Sequence, residues 1–144
     1  MVREMRAEDV LLVSKAEELC FTDPWSLDSI KEGVNSSLDT WLVLPVDEKI
    51  VGYCVFRIIA GEGELLRIAL LPGFRGRGLA KKLMDQVVEY SRKKSVKTMF
   101  LEVRESNKIA RNLYKSYGFS EESVRKNYYQ NPCENAVIMW CSRI

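Results

Sequence analysis

The chain has 144 residues, of which 47% are hydrophobic and 29% are charged, and its net charge at neutral pH is +2. This length predicts one domain over residues 1–144, large enough to bury about two-thirds of the unfolded surface. The net charge is too small to indicate a nucleic-acid or membrane partner, so any anion site must be local. The chain has no histidine, which excludes a Ser-His-Asp triad, a histidine general base and a histidine-based metal site.

The cysteines and the N-terminus indicate the cellular environment. The segment MVREMRAEDV lacks the apolar core of a signal peptide, and the run IVGYCVF is too short to span a bilayer. We therefore expect a cytoplasmic protein with no membrane partner. The cysteines show no C-x-x-C spacing, and we expect buried free thiols rather than a disulfide framework or a metal site. They are Cys20, Cys54, Cys133 and Cys141.

The first half of the chain predicts a strand, two helices and a β-hairpin. Residues 2–6 indicate a short strand, and residues 7–20 carry apolar side chains at helical spacing after an acidic first turn. Ser26 is a favourable N-cap for a second, shorter helix. Segments 40–46 and 49–59 are rich in β-branched and aromatic residues and are separated by a polar turn, which predicts the hairpin.

The second half predicts two strand–helix units and two further strands. A strand over 61–72 leads through a glycine-rich turn into an amphipathic helix, and a strand over 96–103 leads into a helix that ends near Gly118. Segments 119–129 and 136–141 are predicted to form the two further strands. This order predicts an α/β fold with a mixed central sheet of about seven strands and about four helices. The strand–helix–strand run predicts one parallel crossover.

The segment RGRGLA lies between a predicted strand and a predicted helix, which is an anion-binding geometry. The N–H groups in the first turn of a helix lack intrahelical partners, and the helix dipole adds positive charge. Gly76 and Gly78 lack Cβ atoms, so a pyrophosphate can approach the backbone. Arg75, Arg77 and Lys81 can add charge-assisted hydrogen bonds. A solvated turn is the alternative, because short glycine motifs are weak signals.

RGRGLA also matches the pattern R/Q-x-x-G-x-G/A, and four further segments occur with it: PWS, LLRIALLPGFRGRGLAKKLM, LEVRESNKIARNLYKSYGF and RKNYYQNPCENAVIM. On these segments the chain resembles the GCN5-related N-acetyltransferase (GNAT) family. Within that family it is most similar to the ribosomal-protein-alanine (RimI-type) branch and to archaeal protein N-terminal acetyltransferases. The resemblance covers nearly the whole chain and implies a GNAT fold, in which splayed parallel strands form the acetyl-CoA cleft.

The resemblance implies an enzyme that uses acetyl-CoA as acetyl donor and releases coenzyme A. The implied acceptor is a protein or peptide N-terminus, such as that of a ribosomal protein with alanine or another small first residue. Acetylation of a lysine or of a small-molecule amine, and acyl-CoA binding without catalysis, remain alternatives. No direct nucleic-acid binding is expected, and the sequence indicates no oligomeric state.

The resemblance also implies the cofactor-binding residues. The backbone of the RGRGLA turn holds the pyrophosphate, the pantetheine arm pairs with the preceding strand, and an asparagine that can cap the last helix contacts the cofactor. These residues are Ile68, Ala69, Leu70, Arg75, Gly76, Arg77, Gly78, Leu79, Ala80, Lys81 and Asn107.

Two residues are candidates for the proton chemistry. An α-amine has a pKa of about 7.7–8.0, so at neutral pH a base must deprotonate it. Glu102 lies in the apolar strand segment FLEV, and we expect it to face a cleft, a partner or water, because burial without a partner is costly. Pairing with Arg104 or a nearby lysine is the alternative. The resemblance implies that Glu102 is the general base and that Tyr114 protonates the departing thiolate, whereas simple packing of Tyr114 is the alternative.

Two aromatic segments, CFTDPWS and RKNYYQNP, are candidates for acceptor binding, because loops on a rigid scaffold commonly carry binding. Their aromatic residues could flank a peptide N-terminus that enters opposite the cofactor, or could pack against the first helix and the sheet. The candidates are Phe21, Trp25, Tyr128 and Tyr129.

Overall fold

The computed structural model describes residues 1–144 and contains seven β-strands and four α-helices in the predicted order. No helix in it is long and apolar enough to cross a membrane. The strands are β1 (Arg3–Glu4), β2 (Asp39–Val46), β3 (Lys49–Ile59), β4 (Glu62–Leu70), β5 (Thr98–Arg104), β6 (Ser120–Tyr129) and β7 (Glu134–Cys141). The helices are α1 (Val10–Cys20), α2 (Leu27–Asn35), α3 (Leu79–Lys93) and α4 (Lys108–Ser116), with 3₁₀ turns at Ala7–Asp9 and Pro72–Phe74.

The strands form one mixed sheet in the order β1-β2-β3-β4-β5-β7-β6. Every neighbouring pair is antiparallel except β4 and β5, which are parallel and are connected through α3. The predicted fold class and the predicted parallel crossover are therefore confirmed.

The parallel pair separates part-way along its length. Residues 62–65 of β4 pair with residues 98–101 of β5, and no pairing follows. On the other side of β4, Leu65 is opposite Phe56 and Arg67 is opposite Val55, so Leu66 is an extra residue in the ladder. A bulge of this kind bends its strand and increases the local twist. The bend carries β4 away from β5 and opens a cleft in the middle of the sheet.

Two apolar clusters hold the helices on opposite faces of the sheet. On one face, Leu83 and Val87 of α3 and Tyr114 of α4 pack with strand residues in a cluster of 17 buried residues. On the other face, Val13 of α1 and Ile30 of α2 pack in a cluster of 10 buried residues. Burial of each large apolar side chain contributes about 1.5–3 kcal/mol, so the two clusters fix the sheet against both helix pairs.

Local signals set the helix ends where the sequence predicts them. The Ser26 hydroxyl accepts from the backbone N–H of Ser29 at 3.1 Å and caps α2. The Asn107 side chain accepts from the N–H of Ala110 at 3.2 Å and caps α4. Each cap satisfies a donor that the helix itself leaves free, so the predicted cap role of Asn107 is confirmed.

The cysteines are all free, but they differ in exposure. Cys54 and Cys141 are buried, Cys20 is partly buried and Cys133 is exposed. The expectation of buried thiols is therefore wrong for Cys133. The physical reason is its position in the polar turn between β6 and β7, where no apolar layer covers it.

Candidate active site

A cleft of about 310 Å³ lies where β4 and β5 separate. Its floor consists of the diverging strands, and α4 and two loops form its walls. One loop joins α1 to α2 and the other joins β6 to β7. The lining residues are Cys20, Phe21, Thr22, Asp23, Leu65, Leu66, Arg67, Ile68, Leu101, Glu102, Val103, Arg104, Asn107, Tyr114, Tyr129 and Pro132.

The glycine-rich turn before α3 presents free backbone donors. The N–H groups of residues 76–81 donate to no acceptor in the protein. Gly76 and Gly78 have φ angles of +77° and +75°, which L side chains rarely adopt. A Cβ atom at either position would meet nothing within 4 Å, so the space beside this backbone is open. Free donors and the positive end of the α3 dipole together suit the diphosphate of a coenzyme A molecule.

The two arginines of the turn are partly engaged by the protein itself. Arg75 Nε donates to the carbonyl of Leu70 at 3.0 Å, and the Arg77 guanidinium lies 5.3 Å from the centre of the Phe74 ring. Neither arginine pairs with a carboxylate. Their charge therefore remains available to an anionic ligand.

Beyond the bulge, one edge of β4 is free. The N–H of Leu71 donates to Val51 of β3, and backbone groups alternate sides along a strand. The polar groups of Leu70 and Ile68 therefore point toward the open side, as the bonds of Arg75 and Cys20 to the Leu70 carbonyl also indicate. An extended ligand can pair with this edge as a strand would. The Ala69 side chain lies on the other face of the sheet from those of Ile68 and Leu70 and is buried in the cluster under α1 and α2.

Glu102 extends from β5 into the cleft with its carboxylate free. Its side chain is 17% exposed and its Oε2 accepts no hydrogen bond, but its carboxylate lies close enough to the Tyr128 phenol to raise the pKa of that phenol after burial has done so. Arg125 of β6 is its ion-pair partner at 3.7 Å, and that arginine is 59% exposed. Arg104 is engaged elsewhere, with Glu134 and two carbonyls of the β6–β7 turn. Sequence reasoning considered Arg104 or a lysine as the partner of Glu102 and missed Arg125.

Glu64 of β4 is a second carboxylate on the same face of the sheet, and sequence reasoning missed it. It lies opposite Phe100 in the parallel ladder and opposite Arg57 in the antiparallel one. Burial and then the nearby Glu102 carboxylate raise its pKa. An acid within a strand is the same sequence signal that singled out Glu102. At the start of β4 polar residues alternate, so Glu64 did not stand out from its neighbours.

Tyr114 presents a free phenol to the cleft from α4. The residue is 6% exposed, and its ring packs 6.1 Å from that of Phe119. Its hydroxyl makes no hydrogen bond with the protein, although the residue lines the cleft. Burial raises the pKa of Tyr114 well above its ordinary value, so the phenol carries its proton at neutral pH. An uncommitted, protonated hydroxyl is suited to donate a proton.

The four aromatic candidates for acceptor binding divide into two pairs. Phe21 and Tyr129 line the cleft. Trp25 is outside the lining, edge-on to Trp41 at 5.8 Å, and Tyr128, which is also outside it, is 45% exposed and has the Glu102 carboxylate as a neighbour. Burial and the neighbouring Glu102 carboxylate raise the pKa of Tyr129 to about 12. The cleft thus brings together only half of the predicted aromatic set.

The free N–H donors before α3 and the open edge of β4 suit an extended ligand with phosphate groups, and the carboxylate and phenol in the cleft suit proton transfer. Residues 11–119 match the model of the "Acetyltransferase (GNAT) family". The chain belongs to this family, and it is an N-acetyltransferase that uses acetyl-CoA as its acetyl donor. The expectations of the fold, the enzyme class and the donor are therefore confirmed.

Individual relatives support the same assignment along the whole chain. The [ribosomal protein bS18]-alanine N-acetyltransferase of Haemophilus influenzae is 36% identical over 146 residues, which cover 98% of this chain and 97% of the relative. The crystal structure of the ribosomal-protein-S18-alanine N-acetyltransferase from Escherichia coli superposes with a TM-score of 0.91 at 26% identity, over 100% of this chain and 94% of that one. Ard1 from Thermoplasma volcanium also gives 0.91, at 27% identity over 100% and 97%.

Proposed function

We propose that this protein transfers the acetyl group of acetyl-CoA to the α-amine of a protein N-terminus, with the alanine of ribosomal protein bS18 as its acceptor. The observation that carries this proposal is the similarity to the Haemophilus influenzae enzyme over 98% of this chain and 97% of that relative. A sheet that runs from Arg3 to Cys141 supports one domain over 1–144. A ribosomal acceptor implies that the reaction takes place in the cytoplasm.

In this proposal the chain holds the donor by its backbone. The N–H groups of residues 76–81 and the charges of Arg75 and Arg77 bind the diphosphate. The free edge of β4 at Ile68 and Leu70 binds the pantetheine arm, and its N–H groups polarise the acetyl carbonyl. Asn107 lines the same cleft at the start of α4 and contacts the arm. Acetyl-CoA supplies a thioester-activated acetyl group.

Glu102 is the general base in this proposal. An α-amine with a pKa of about 7.7–8.0 is mostly protonated at neutral pH and must lose a proton before it can attack. Oε2 of the Glu102 carboxylate has no hydrogen bond that would have to break before it accepts that proton. Its only ion-pair partner is Arg125 at 3.7 Å. Because Arg125 is largely exposed, solvent weakens this ion pair, and the carboxylate keeps its ability to accept a proton.

Tyr114 donates the second proton. As the nitrogen–carbon bond forms and the carbon–sulfur bond breaks, the nitrogen loses a further proton to solvent, and the departing sulfur takes up the bonding electron pair and needs a proton. A thiol has a pKa of about 8.5 and is a stronger acid than the buried Tyr114 phenol, so the transfer of the proton to sulfur is uphill by itself and is driven by the cleavage of the thioester with which it is coupled. Glu102 then releases its proton to solvent and the phenolate of Tyr114 regains one from it, so that the reaction of a protonated amine releases one proton overall.

A mass-spectrometric transfer assay tests this function. The full chain and acetyl-CoA are incubated with a peptide that carries the bS18 N-terminus and a free alanine amine. The matched peptide has the same sequence, a blocked N-terminus and an internal lysine. We expect one added acetyl group on the α-amine of the first peptide and none on the second. Acetylation of the lysine alone would contradict the proposal.

A further inference from the structure

A buried ion pair lies beneath the acceptor side of the cleft. Glu17 of α1 has no exposed surface, and it receives hydrogen bonds from Arg67 Nε at 3.1 Å and from Arg67 Nη2 at 2.5 Å. The Tyr53 hydroxyl and the N–H of Trp25 also donate to Glu17. A buried carboxylate with four donors is fully satisfied, and removal of its cationic partner would be costly. The guanidinium is therefore fixed in position.

The same guanidinium organises the loop between α1 and α2. It lies 3.8 Å from the centre of the Phe21 ring and 4.4 Å from that of Trp25, and Nη2 also donates to the carbonyl of Asp23 at 3.3 Å. An arginine stacks on aromatic faces without giving up its in-plane donors. Nε and Nη2 are engaged by these contacts, whereas Nη1 donates to no acceptor in the protein.

Arg67 also lines the same cleft as Glu102. It follows the bulged residue Leu66 on β4, and Glu102 follows the last paired residue of β5. Arg67 and Glu102 therefore lie on the two sides of the split between the strands, and both line the cleft. Glu17 balances the positive charge of Arg67, so a protonated amine can approach Glu102 without meeting an unpaired cation.

The first residue of a protein acceptor has a carbonyl group that could accept a hydrogen bond from Arg67 Nη1. In an α-amine acceptor, the carbonyl of the first residue is two bonds away from the amine nitrogen. A lysine side chain has only methylene groups at that distance. A fixed donor that satisfies the carbonyl therefore favours α-amines, because a site built to make a hydrogen bond discriminates strongly against a ligand that lacks it.

We propose that Arg67 is a specificity-determining residue, whose Nη1 donates to the carbonyl of the acceptor's first residue and so selects protein N-termini over lysine side chains. This inference rests on the function proposed above. It assigns to the Glu17–Arg67 pair a role beyond holding the loop.

The test compares two acceptors. The first is the alanine-initiated peptide, and the second is the same peptide with its first amide bond replaced by a trans-alkene, which keeps the shape and removes the carbonyl. With the wild-type protein we expect kcat/KM to fall about ten- to a hundredfold for the alkene peptide, the range of a lost hydrogen bond to a charged donor. Equal rates for the two peptides would overturn the inference without any variant.

Two variants assign the effect to Arg67. Arg67→Lys keeps the charge opposite Glu17 but loses the planar second arm. Glu17→Gln with Arg67→Met removes the buried pair without leaving a lone charge, which keeps the test valid if the single variant fails to fold. We expect either variant to reduce the preference for the amide peptide to less than threefold. A variant that slows both peptides equally would show a role in loop structure alone and overturn the inference.

Arg57→Lys is the matched control, because Arg57 also donates to a carboxylate through Nε and Nη2, in this case to the two oxygens of Asp39 at 2.7 Å and 3.1 Å, outside the cleft. We expect it to keep the wild-type preference, and loss of the preference in this control would overturn the assignment to Arg67. A wild-type protein that acetylates no α-amine peptide would contradict the proposed function itself, and the inference with it. The two failures are therefore distinguishable.

Discussion

Asn131 Nδ2 donates to Asp23 Oδ1 at 2.9 Å, although the two residues are 108 positions apart in the sequence. Asp23 belongs to the loop after α1, and Asn131 belongs to the turn between β6 and β7. These are the two loops that border the acceptor side of the cleft. One exposed side-chain hydrogen bond therefore joins the two walls between which an acceptor must enter.

Replacement of Asn131 by alanine tests this link. An exposed hydrogen bond contributes about 0.5–1.5 kcal/mol, so we expect little change in melting temperature. Because the bond orders both loops, we expect the KM for the peptide to rise about two- to fivefold and the affinity for acetyl-CoA to stay the same. Steady-state kinetics with each substrate varied in turn measures both effects. An unchanged peptide KM would show that the loops are ordered without this bond.

Gly78→Val is expected to impair donor binding. The left-handed backbone at Gly78 costs an L-residue about 1–2 kcal/mol, and the new side chain would occupy the open space beside the free N–H groups. We expect the dissociation constant for acetyl-CoA to rise more than tenfold, as measured by calorimetry, in a chain that still folds. Gly73→Ala is the matched control, because Gly73 also has open space but no positive φ, and it should bind normally. Tight binding by Gly78→Val would contradict the assigned role of the turn.

Glu102→Gln is expected to lower kcat by about 10²–10⁴, the usual contribution of a general base. Acetyl-CoA affinity should not change, and stability should not fall, because Oε2 of Glu102 accepts no hydrogen bond and the neutral amide no longer repels Glu64. Rapid-quench measurement of a single turnover isolates the chemical step. Glu105→Gln removes an exposed acid close by in the sequence and should leave the rate unchanged. Full activity of Glu102→Gln would exclude Glu102 as the base.

Tyr114→Phe separates packing from chemistry. The hydroxyl makes no hydrogen bond with the protein, while the ring is buried in the core. Loss of the hydroxyl alone should therefore leave the melting temperature within a few degrees of wild type. We expect kcat to fall at least tenfold, because the departing sulfur then takes its proton from water. A kcat equal to that of wild type would mean that Tyr114 acts in packing only.

Local chemistry made most of the fold predictable. The cap at Ser26, the β-branched run over 49–59 and the turn at Gly78 act within a few residues, and the element order follows from such signals. The bulge at Leu66 was not predictable, because it is defined only by the pairing of β4 with β3.

The candidate site also contains residues that local sequence could predict and residues that it could not. The motif with its resemblance singled out Gly78, Glu102 and Tyr114; Glu102 and Tyr114 line the cleft, and Gly78 lies at the start of α3. Arg67 and Glu64 were missed because their partners, Glu17 and Glu102, are more than 35 positions away in the sequence. The neighbours of a charged residue in a strand cannot be predicted until the order of the strands in the sheet is known.

Glu64→Gln tests the electrostatics beside Glu102 through the pH dependence of stability. Burial and then the Glu102 carboxylate raise the pKa of Glu64, and Asp39 adds a small increase. Arg57 and Arg125 lower this pKa, but only in part. A carboxyl group whose pKa is higher in the folded state binds its proton more tightly there, so folding loses stability as pH rises above the usual glutamate pKa, near 4.5. The neutral amide does not titrate. We therefore expect Glu64→Gln to melt at a higher temperature than wild type at pH 7.

This difference should vanish toward pH 4, where Glu64 is protonated in both the folded and the unfolded states. Melting curves between pH 4 and pH 8 measure it. Glu62→Gln, at an exposed acid two residues earlier on the same strand, is the matched control, and its melting temperature at pH 7 should differ from that of wild type by less than the melting temperature of Glu64→Gln does. A Glu64→Gln variant that is less stable than wild type at pH 7 would mean that attraction to Arg57 and Arg125 outweighs both burial and repulsion by Glu102.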